Sequence, residues 1–304
     1  MTPDILCLGE PMLEFNQQSN GTYLPGHGGD TSNAAIAAAR QGAKVGYITH
    51  IGRDAFGASF MELWKKEGIS TDTVKQVPTA QTGIYFVTHG EDGHEFSYLR
   101  AGSAASLMTP SDLPIEALQS TKILHVSGIS QAISDSAADT VFEAMRITRA
   151  AGGKVSYDTN LRLKLWPLDR ARAIIHAAVA QSDIILPGED DAALLTGHTD
   201  PNAIVDTYLA LGASVVALTL GPDGTLVATP DERQHVPGRK VNAIDATGAG
   251  DTFDGAFLAR ISAGDTPFEA AHYANAAAAL STQGYGGVAP MPMKAAVDAF
   301  MAET

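Results

Sequence analysis

Residues 245–261 read DATGAGDTFDGAFLARI, and the character of the chain changes midway through them. Gly248 and Gly250 precede an acid, Asp251, after which Phe253, Phe257 and Ile261 recur at i, i+4 and i+8, the spacing of a buried helical stripe. Glycine costs about 1 kcal/mol against alanine inside a helix, so the pair marks the approach to a helix and not its interior. A helix that begins here presents unpaired N–H groups and the positive end of its dipole, with little side-chain bulk in front. Such a place holds an anion, and Asp251 beside it is a proton acceptor. The chemical question is which anion, and whose proton.

Working outward, the chain alternates apolar bursts with helical periodicity. Strands are expected at DILCLG (4–9), VGYITHI (45–51), KILHVSG (122–128), KVSYD (154–158), DIILP (183–187), SVVALTL (214–220) and TLVAT (225–229). Helices are expected at roughly 32–41, 55–67, 135–151, 169–181, 201–211, 250–262 and 267–283. Short strands alternating with helices predict βαβ units: an α/β fold with a mostly parallel, doubly wound sheet. Ligands of such sheets gather outside the carboxyl ends of the strands. No Pro-, Ser- or Gly-rich linker divides residues 1–304, so a single domain is expected. The Ala-rich NAAAALS of the last of these helices reads as a close-packing face.

One region breaks the rhythm. TGIYFVTHGEDGHEFSYLR (82–100) places no helix between two extended runs, and GEDG at 90–93 reads as the turn of a β-hairpin. A second extended piece lies near 11–27, so the two (about 11–27 and 79–101) are expected to form a small sheet beside the main one. Such a hairpin either decorates an edge or serves as a lid. Tyr85, Tyr98 and Arg100 favour the lid, since they supply rigid aromatics and a planar cation suited to carboxylate or phosphate.

Composition narrows the function. The 304 residues carry 34 Asp and Glu against 20 Lys and Arg, a net charge of -14. That argues against a nucleic-acid binder, whose affinity comes from clustered Lys and Arg. In an acidic protein each well-placed arginine gains interest as a local anion site. The lone cysteine, Cys7, makes no internal disulfide, and MTPDILCLGE lacks a basic start and an apolar signal core. A reducing, cytoplasmic setting with no membrane span is expected. No Walker A loop occurs and no G-x-G-x-x-G fingerprint follows the first strand. The nine His and single Cys show no metal-ligand spacing. GHGGDTSNAAIAAARQG (26–42) is more informative: its glycines open a helix capped near Asp30 or Thr31, with Asn33 in the first turn, and permit close approach to a ligand.

At this point the residues reach a family. DATGAGDTFDGAFL resembles the C-terminal signature of the ribokinase-like (PfkB-type) carbohydrate kinases, and GGDTSNAA with Gly42 and Gly52 resembles their N-terminal signature. The likeness runs over essentially the whole chain, hairpin included, where the family carries its substrate lid. Within the family the chain looks most like 2-keto-3-deoxygluconate kinases, through GEPMLEF (9–15), GGDTSN, YLRAGSAAS (98–106) and YDTNLRLKLWP (157–167).

The resemblance implies ATP as phosphoryl donor, Asp251 as base, and the N–H groups of Gly248, Ala249 and Gly250 as the anion hole. The anion is then the transferring phosphoryl and the proton that of the acceptor hydroxyl. Phosphoryl transfer asks mainly for alignment and charge dispersal, so Asp251 is expected to orient the hydroxyl and take its proton late. The resemblance places Gly29, Asp30, Asn33, Tyr85, Tyr98, Arg100 and Arg162 around the sugar, with Tyr285 at its edge. Two guanidiniums favour an acid sugar, because arginine pairs bidentately with carboxylate. For Arg162 a phosphate role competes with the carboxylate role.

On the nucleotide side the resemblance implies Thr219, Gly221 and Gly224 of TLGPDG, with Asn160 and Arg162 near phosphates and Asn275 near the base. Thr219 stands where the family often has Lys. In LPGEDDAALLTG (186–197) Gly188 replaces the Asn, and Asp191 the Glu, of the family's metal motif. Asp191 is expected to hold Mg²⁺ through water, which ATP chemistry needs for charge neutralisation. The family also admits a monovalent cation near Asp245, and an exposed lid edge is expected to form a homo-oligomer. The expected activity is transfer to 2-keto-3-deoxygluconate, giving the 6-phosphate. Three readings stand beside it: a kinase of a neutral sugar such as fructose or ribose, a non-catalytic sugar-binding protein, and a nucleoside kinase.

Overall fold

The protein is described from a computed structural model that covers residues 2–18, 20–90 and 93–303. Its main sheet holds nine strands: β1 (Ile5–Leu8), β4 (Val45–Gly52), β5 (Val74–Val77), β8 (Ile123–Ser127), β9 (Lys154–Asp158), β10 (Ile184–Leu186), β11 (Val215–Thr219), β12 (Gly224–Ala228) and β13 (Arg233–Pro237). They lie in the order β13-β12-β11-β10-β9-β8-β1-β4-β5, parallel from β5 to β11 and antiparallel at β12 and β13. The chain leaves β1 towards β4 and β5, then returns to β8 and runs the other way. The crevice at the carboxyl ends of β1 and β8 is therefore the topological switch point, where such sheets bind ligands.

Burial on both faces explains why the central strands read as unbroken apolar bursts. In β1, Ile5 and Cys7 enter one core while Leu6 and Leu8 enter the other. The first core is closed by α1 (Asp30–Arg40), α2 (Ala55–Lys66), α9 (Ala249–Ala263), α10 (Pro267–Ser281) and α11 (Lys294–Ala302). The second is closed by α3 (Ile115–Ser120), α4 (Gly128–Ala132), α5 (Asp135–Ala150), α6 (Leu168–Val179), α7 (Glu189–Thr196) and α8 (Pro201–Ala210). The seven helices expected from periodicity form within about two residues of their expected ends. Unforeseen are β5, β13, α3, α4, α7 and α11. The two strands are edges with few buried positions, and the four helices are too short to show a period.

Small residues bring α1 and α9 together. A Cβ on Gly255 would lie 2.3 Å from the Ala34 carbonyl oxygen, so the two backbones touch where any larger residue would separate them. In α10, Ala270, Ala271, Ala274, Ala276 and Ala277 are fully buried, whereas Ala278 and Ala279 at the end of the Ala-rich run are half-buried, so the close-packing face covers only part of that run.

The second, smaller sheet, formed by the two segments expected to make the lid and here called the lid, has the order β3-β2-β6-β7: β2 (Met12–Gln17), β3 (Tyr23–Gly28), β6 (Gly83–Gly90) and β7 (Gly93–Leu99). The central residues of the expected GEDG turn, 91 and 92, lie outside the described residues. Alternation splits the lid into two faces. Phe15 and Phe86 stack at 5.2 Å on one face, where Phe15 also meets Phe56 of α2. Glu14, Tyr85 and Tyr98 share the other. Among the described residues no helix is long and apolar enough to cross a membrane.

Candidate active site

The GAGD turn is built as the sequence required. Gly248 caps α9 at φ 73, and a Cβ there would lie 2.7 Å from the Gly287 carbonyl oxygen. A Cβ on Gly250 would meet nothing within 4 Å, so the first turn of α9 faces open space. The Ala249 N–H turns back onto the Ala246 carbonyl at 3.1 Å, a departure from the expected trio of open donors that follows from the tight turn before the helix.

Asp251 stands one turn into this cradle and accepts a hydrogen bond from Asn33 Nδ2 at 2.8 Å. Its pKa is pushed up to about 7, chiefly by burial and then by the Asp30 carboxylate, against which Asn33 and Arg162 pull it down. A carboxyl near 7 is far better matched to accepting a proton at neutral pH than one near 4. Asn33 itself is fixed by α1, whose first turn begins at Gly29 (φ 100) and where the Asn33 N–H reaches the Gly29 carbonyl at 2.8 Å. Its Oδ1 is buried with no hydrogen-bond partner. An orphaned acceptor beside the base is suited to a hydroxyl donor, which a sugar supplies.

The segment after β9 forms the opposite wall. Asn160 adopts φ 25, rare for a residue with a side chain, because it bridges two acids. Its N–H bonds Asp158 Oδ1 at 3.1 Å and its Nδ2 bonds Asp30 Oδ2 at 3.0 Å. That arrangement makes it a clamp on the acids, where the resemblance implied a phosphate contact. Arg162 is half exposed; its Nη1 donates to the Leu161 carbonyl at 2.8 Å and lies 3.6 Å from Asp191 Oδ2, so one end of the guanidinium is tied to the wall. Asp191 also accepts from the Leu161 N–H at 2.9 Å, and burial raises its pKa.

Behind Asp251 lie two acids that sequence reading passed over. Asp158 and Asp254 lie together, and burial, with the charges of Asp30 and Asp251, raises both pKa values well above the usual carboxylate value. Asp254 follows Asp251 at i+3, a spacing that puts both on one helix face, and this was the available signal.

The lid contributes its polar face. The Tyr85 hydroxyl donates to Glu14 Oε2 at 2.5 Å, and the Tyr85 ring lies 5.9 Å from that of Tyr98. The Arg100 guanidinium sits 5.8 Å from the Tyr98 ring centroid. Arg100 is not the free cation that its place in the sequence suggested, since it forms a buried ion pair with Glu10. Tyr285 projects into solvent, 79% exposed, on a turn pinned by the Gly286 N–H to Asp245 Oδ2 at 2.9 Å. The structure leaves it outside the assembled group.

On the nucleotide side, Gly221 (φ 56) and Gly224 (φ 101) shape the turn from β11 to β12, and Thr219 lies beside Gly188. Asn275 is committed to the walls: it accepts from Thr225 Oγ1 at 2.7 Å and donates to the Val236 carbonyl at 3.1 Å. Among the described residues no cluster of three or more His, Cys, Asp or Glu has the arrangement of a metal site.

A proton acceptor at a helix N-terminus, in a switch-point crevice beneath a β lid, is the apparatus of a small-molecule kinase. Comparison with known proteins agrees. The chain belongs to the pfkB family carbohydrate kinases, whose profile matches residues 3–294. It is 32% identical to 2-dehydro-3-deoxygluconokinase of Bacillus subtilis, over 99% of this chain and 96% of that protein. It is also 32% identical to probable fructokinase-6, chloroplastic, of Arabidopsis thaliana, over 97% of this chain and 82% of the relative. A crystal structure of fructokinase from Vibrio cholerae in fructose, ADP and calcium ion bound form superposes with TM-score 0.89 at 29% identity, covering 99% of both chains.

Proposed function

We propose that the protein transfers the γ-phosphoryl of ATP to the 6-hydroxyl of 2-keto-3-deoxygluconate. The observation that carries this reading is Arg162, a half-exposed guanidinium on the wall after β9 whose charge acts on Asp251, with a second guanidinium, Arg100, held by Glu10 beside Tyr98 on the lid side. An acid sugar that reaches from Asp251 to the lid would meet a guanidinium near its carboxylate. The likeness to 2-dehydro-3-deoxygluconokinase is consistent with it.

In this mechanism Asn33 holds Asp251 against the acceptor hydroxyl, and Asn33 Oδ1 takes a second substrate donor. The hydroxyl oxygen bonds to the γ-phosphorus as the bond to the β,γ-bridging oxygen breaks, and its proton passes to Asp251 while ADP leaves. The open first turn of α9 faces the charge that develops on the transferring group. Mg²⁺ bound with the nucleotide would supply charge neutralisation, and Asp191, an acid held at the cleft wall, would meet its water shell. Lid closure keeps water from replacing the sugar as acceptor.

A second reading, a kinase for a neutral sugar such as fructose, draws on the Arg100–Glu10 pair, which already cancels one of the two charges, and on the fructokinase relatives. An ADP-release assay across keto-deoxy acids, hexoses, pentoses and nucleosides separates them. Higher kcat/KM for fructose or ribose than for every keto acid overturns the acid-sugar reading.

The exposed Leu24 on β3 and Leu99 on β7, the two lid edges, support self-association there. Analytical ultracentrifugation of the parent and of Leu24→Glu should show a dimer reduced to monomer; a monomeric parent removes this assignment.

A further inference from the structure

We propose that Glu10 is the positioning residue of the sugar site, orienting Arg100 towards the substrate and joining the passages of the chain between body and lid. The orienting half of this rests on the acid-sugar reading above.

Glu10 lies just past β1, and its side chain is 1% exposed. Both carboxylate oxygens are engaged. Oε1 accepts from the Ser103 hydroxyl, while Oε2 accepts Arg100 Nε at 2.8 Å and one terminal nitrogen of the same guanidinium. Arg100 and Ser103 come from a single turn, closed by the Ser103 N–H on the Arg100 carbonyl at 2.9 Å. Glu10 therefore gathers the whole exit of β7.

The other crossings run over the same residue. The chain enters the lid at Glu10 itself. It leaves β3 at Gly29, where a Cβ would lie 2.4 Å from the Glu10 carbonyl oxygen, and enters β6 at Gly83, where a Cβ would lie 2.8 Å from Glu10 Oε1. Two of the glycines in the lid connections are thus small because Glu10 occupies the space beside them. A lid that turns on these connections turns about this residue, its backbone at Gly29 and its side chain at Gly83.

A guanidinium has two forked edges. Glu10 takes the side edge, made of Nε and one Nη, and leaves the end edge with its second Nη for another carboxylate. A buried charge held this way is expensive to leave unpaired, so the pair fixes one orientation and does not merely add a contact.

Steady-state kinetics of Glu10→Ala, Glu10→Gln, Ser103→Ala, Arg100→Ala and the Glu10→Ala/Arg100→Ala double variant test this on the sugar that the parent enzyme prefers. Glu10→Ala should raise KM for sugar at least tenfold while the ATP KM stays within threefold, and Glu10→Gln, which keeps an acceptor in place, should recover most of that loss. The double variant should be no worse than Arg100→Ala alone. Ser103→Ala, which leaves the ion pair intact, should raise the sugar KM about threefold, and it stands in if Glu10→Ala does not fold. A sugar KM within twofold of the parent in both Glu10→Ala and Ser103→Ala, with a lower Tm, reduces Glu10 to a structural residue; multiplicative single effects separate it from Arg100. A parent that prefers a neutral sugar overturns the acid-sugar reading, and the same cycle run on that sugar still decides whether Glu10 acts through Arg100.

Discussion

Asn33 on α1 and Asp251 on α9, 218 residues apart, meet at 2.8 Å, so the carboxylate proposed as the base is held by the first turn of a second helix. The contact favours the charged carboxylate, whereas burial and Asp30 favour the neutral one, and the balance lies at about 7. The base must be ionised to accept a proton. kcat/KM should therefore rise with pH through about 7, and a midpoint near 4 would contradict the role. Asn33→Ala removes the hydrogen bond that lowers the pKa, so the midpoint should move up and kcat/KM at pH 7 should fall about tenfold. A pH profile of ADP release measures both.

Asp251→Asn should lower kcat by roughly a thousandfold, within the range for loss of a general base. The same change should stabilise the fold. Because the folded-state pKa of Asp251 is raised, the unfolded chain ionises first, and stability is lost as pH rises from about 4 through about 7. The amide carries no such penalty. At pH 8 its Tm should exceed the parent's by a few degrees, and the gap should close towards pH 4. Calorimetry across that range is the check.

The fold was legible wherever burial repeats with a period. β1, β4, β8 and β11 announce themselves because both faces are apolar, and α9 because Phe253 and Phe257 stack in one core at 5.7 Å. β13 was not, since Val236 alone of its five residues is buried. The turn that carries Asp251 into α9 was legible too, in the glycines before it. Its setting was harder, because a sequence shows that Arg100 and Asn160 exist but not what they are spent on. Glu10 pairs with Arg100 from 90 positions away and Asp30 with Asn160 from 130, separations that no local pattern encodes.

Gly255→Ala should damage activity without touching a ligand. Its new Cβ would meet the Ala34 carbonyl oxygen at 2.3 Å, the Ala37 Cβ at 2.6 Å and the Ala38 nitrogen at 2.7 Å, two of which are backbone. Neither helix can yield locally, so α9 must move off α1. We expect a loss of about 1–3 kcal/mol in urea unfolding. The Asn33–Asp251 contact spans the same pair of helices, so kcat/KM should fall more than tenfold at a temperature where the variant is fully folded. Parental activity in a destabilised variant would show that the base does not depend on this interface.

His125, in the middle of β8, lowers stability as pH falls. It is buried between strands with Nδ1 3.2 Å from Ser156 Oγ, and burial lowers its pKa from 6.5 to about 4. Between those values the unfolded chain takes up a proton that the folded protein refuses. The stability it contributes is complete above pH 6.5 and drains away as pH falls, by about 3 kcal/mol at pH 4. Asp158, Asp251 and Asp254, whose pKa values are raised, work in the opposite sense over the same range. The overall slope is therefore no measure of His125, and a comparison of variants is needed. Urea midpoints of the parent and of His125→Asn at pH 7 and pH 5 isolate its share: the parent should lose about 2 kcal/mol more than the variant over that interval. Equal losses would mean that the imidazole reaches solvent or a carboxylate in the folded protein and is not held neutral by the sheet.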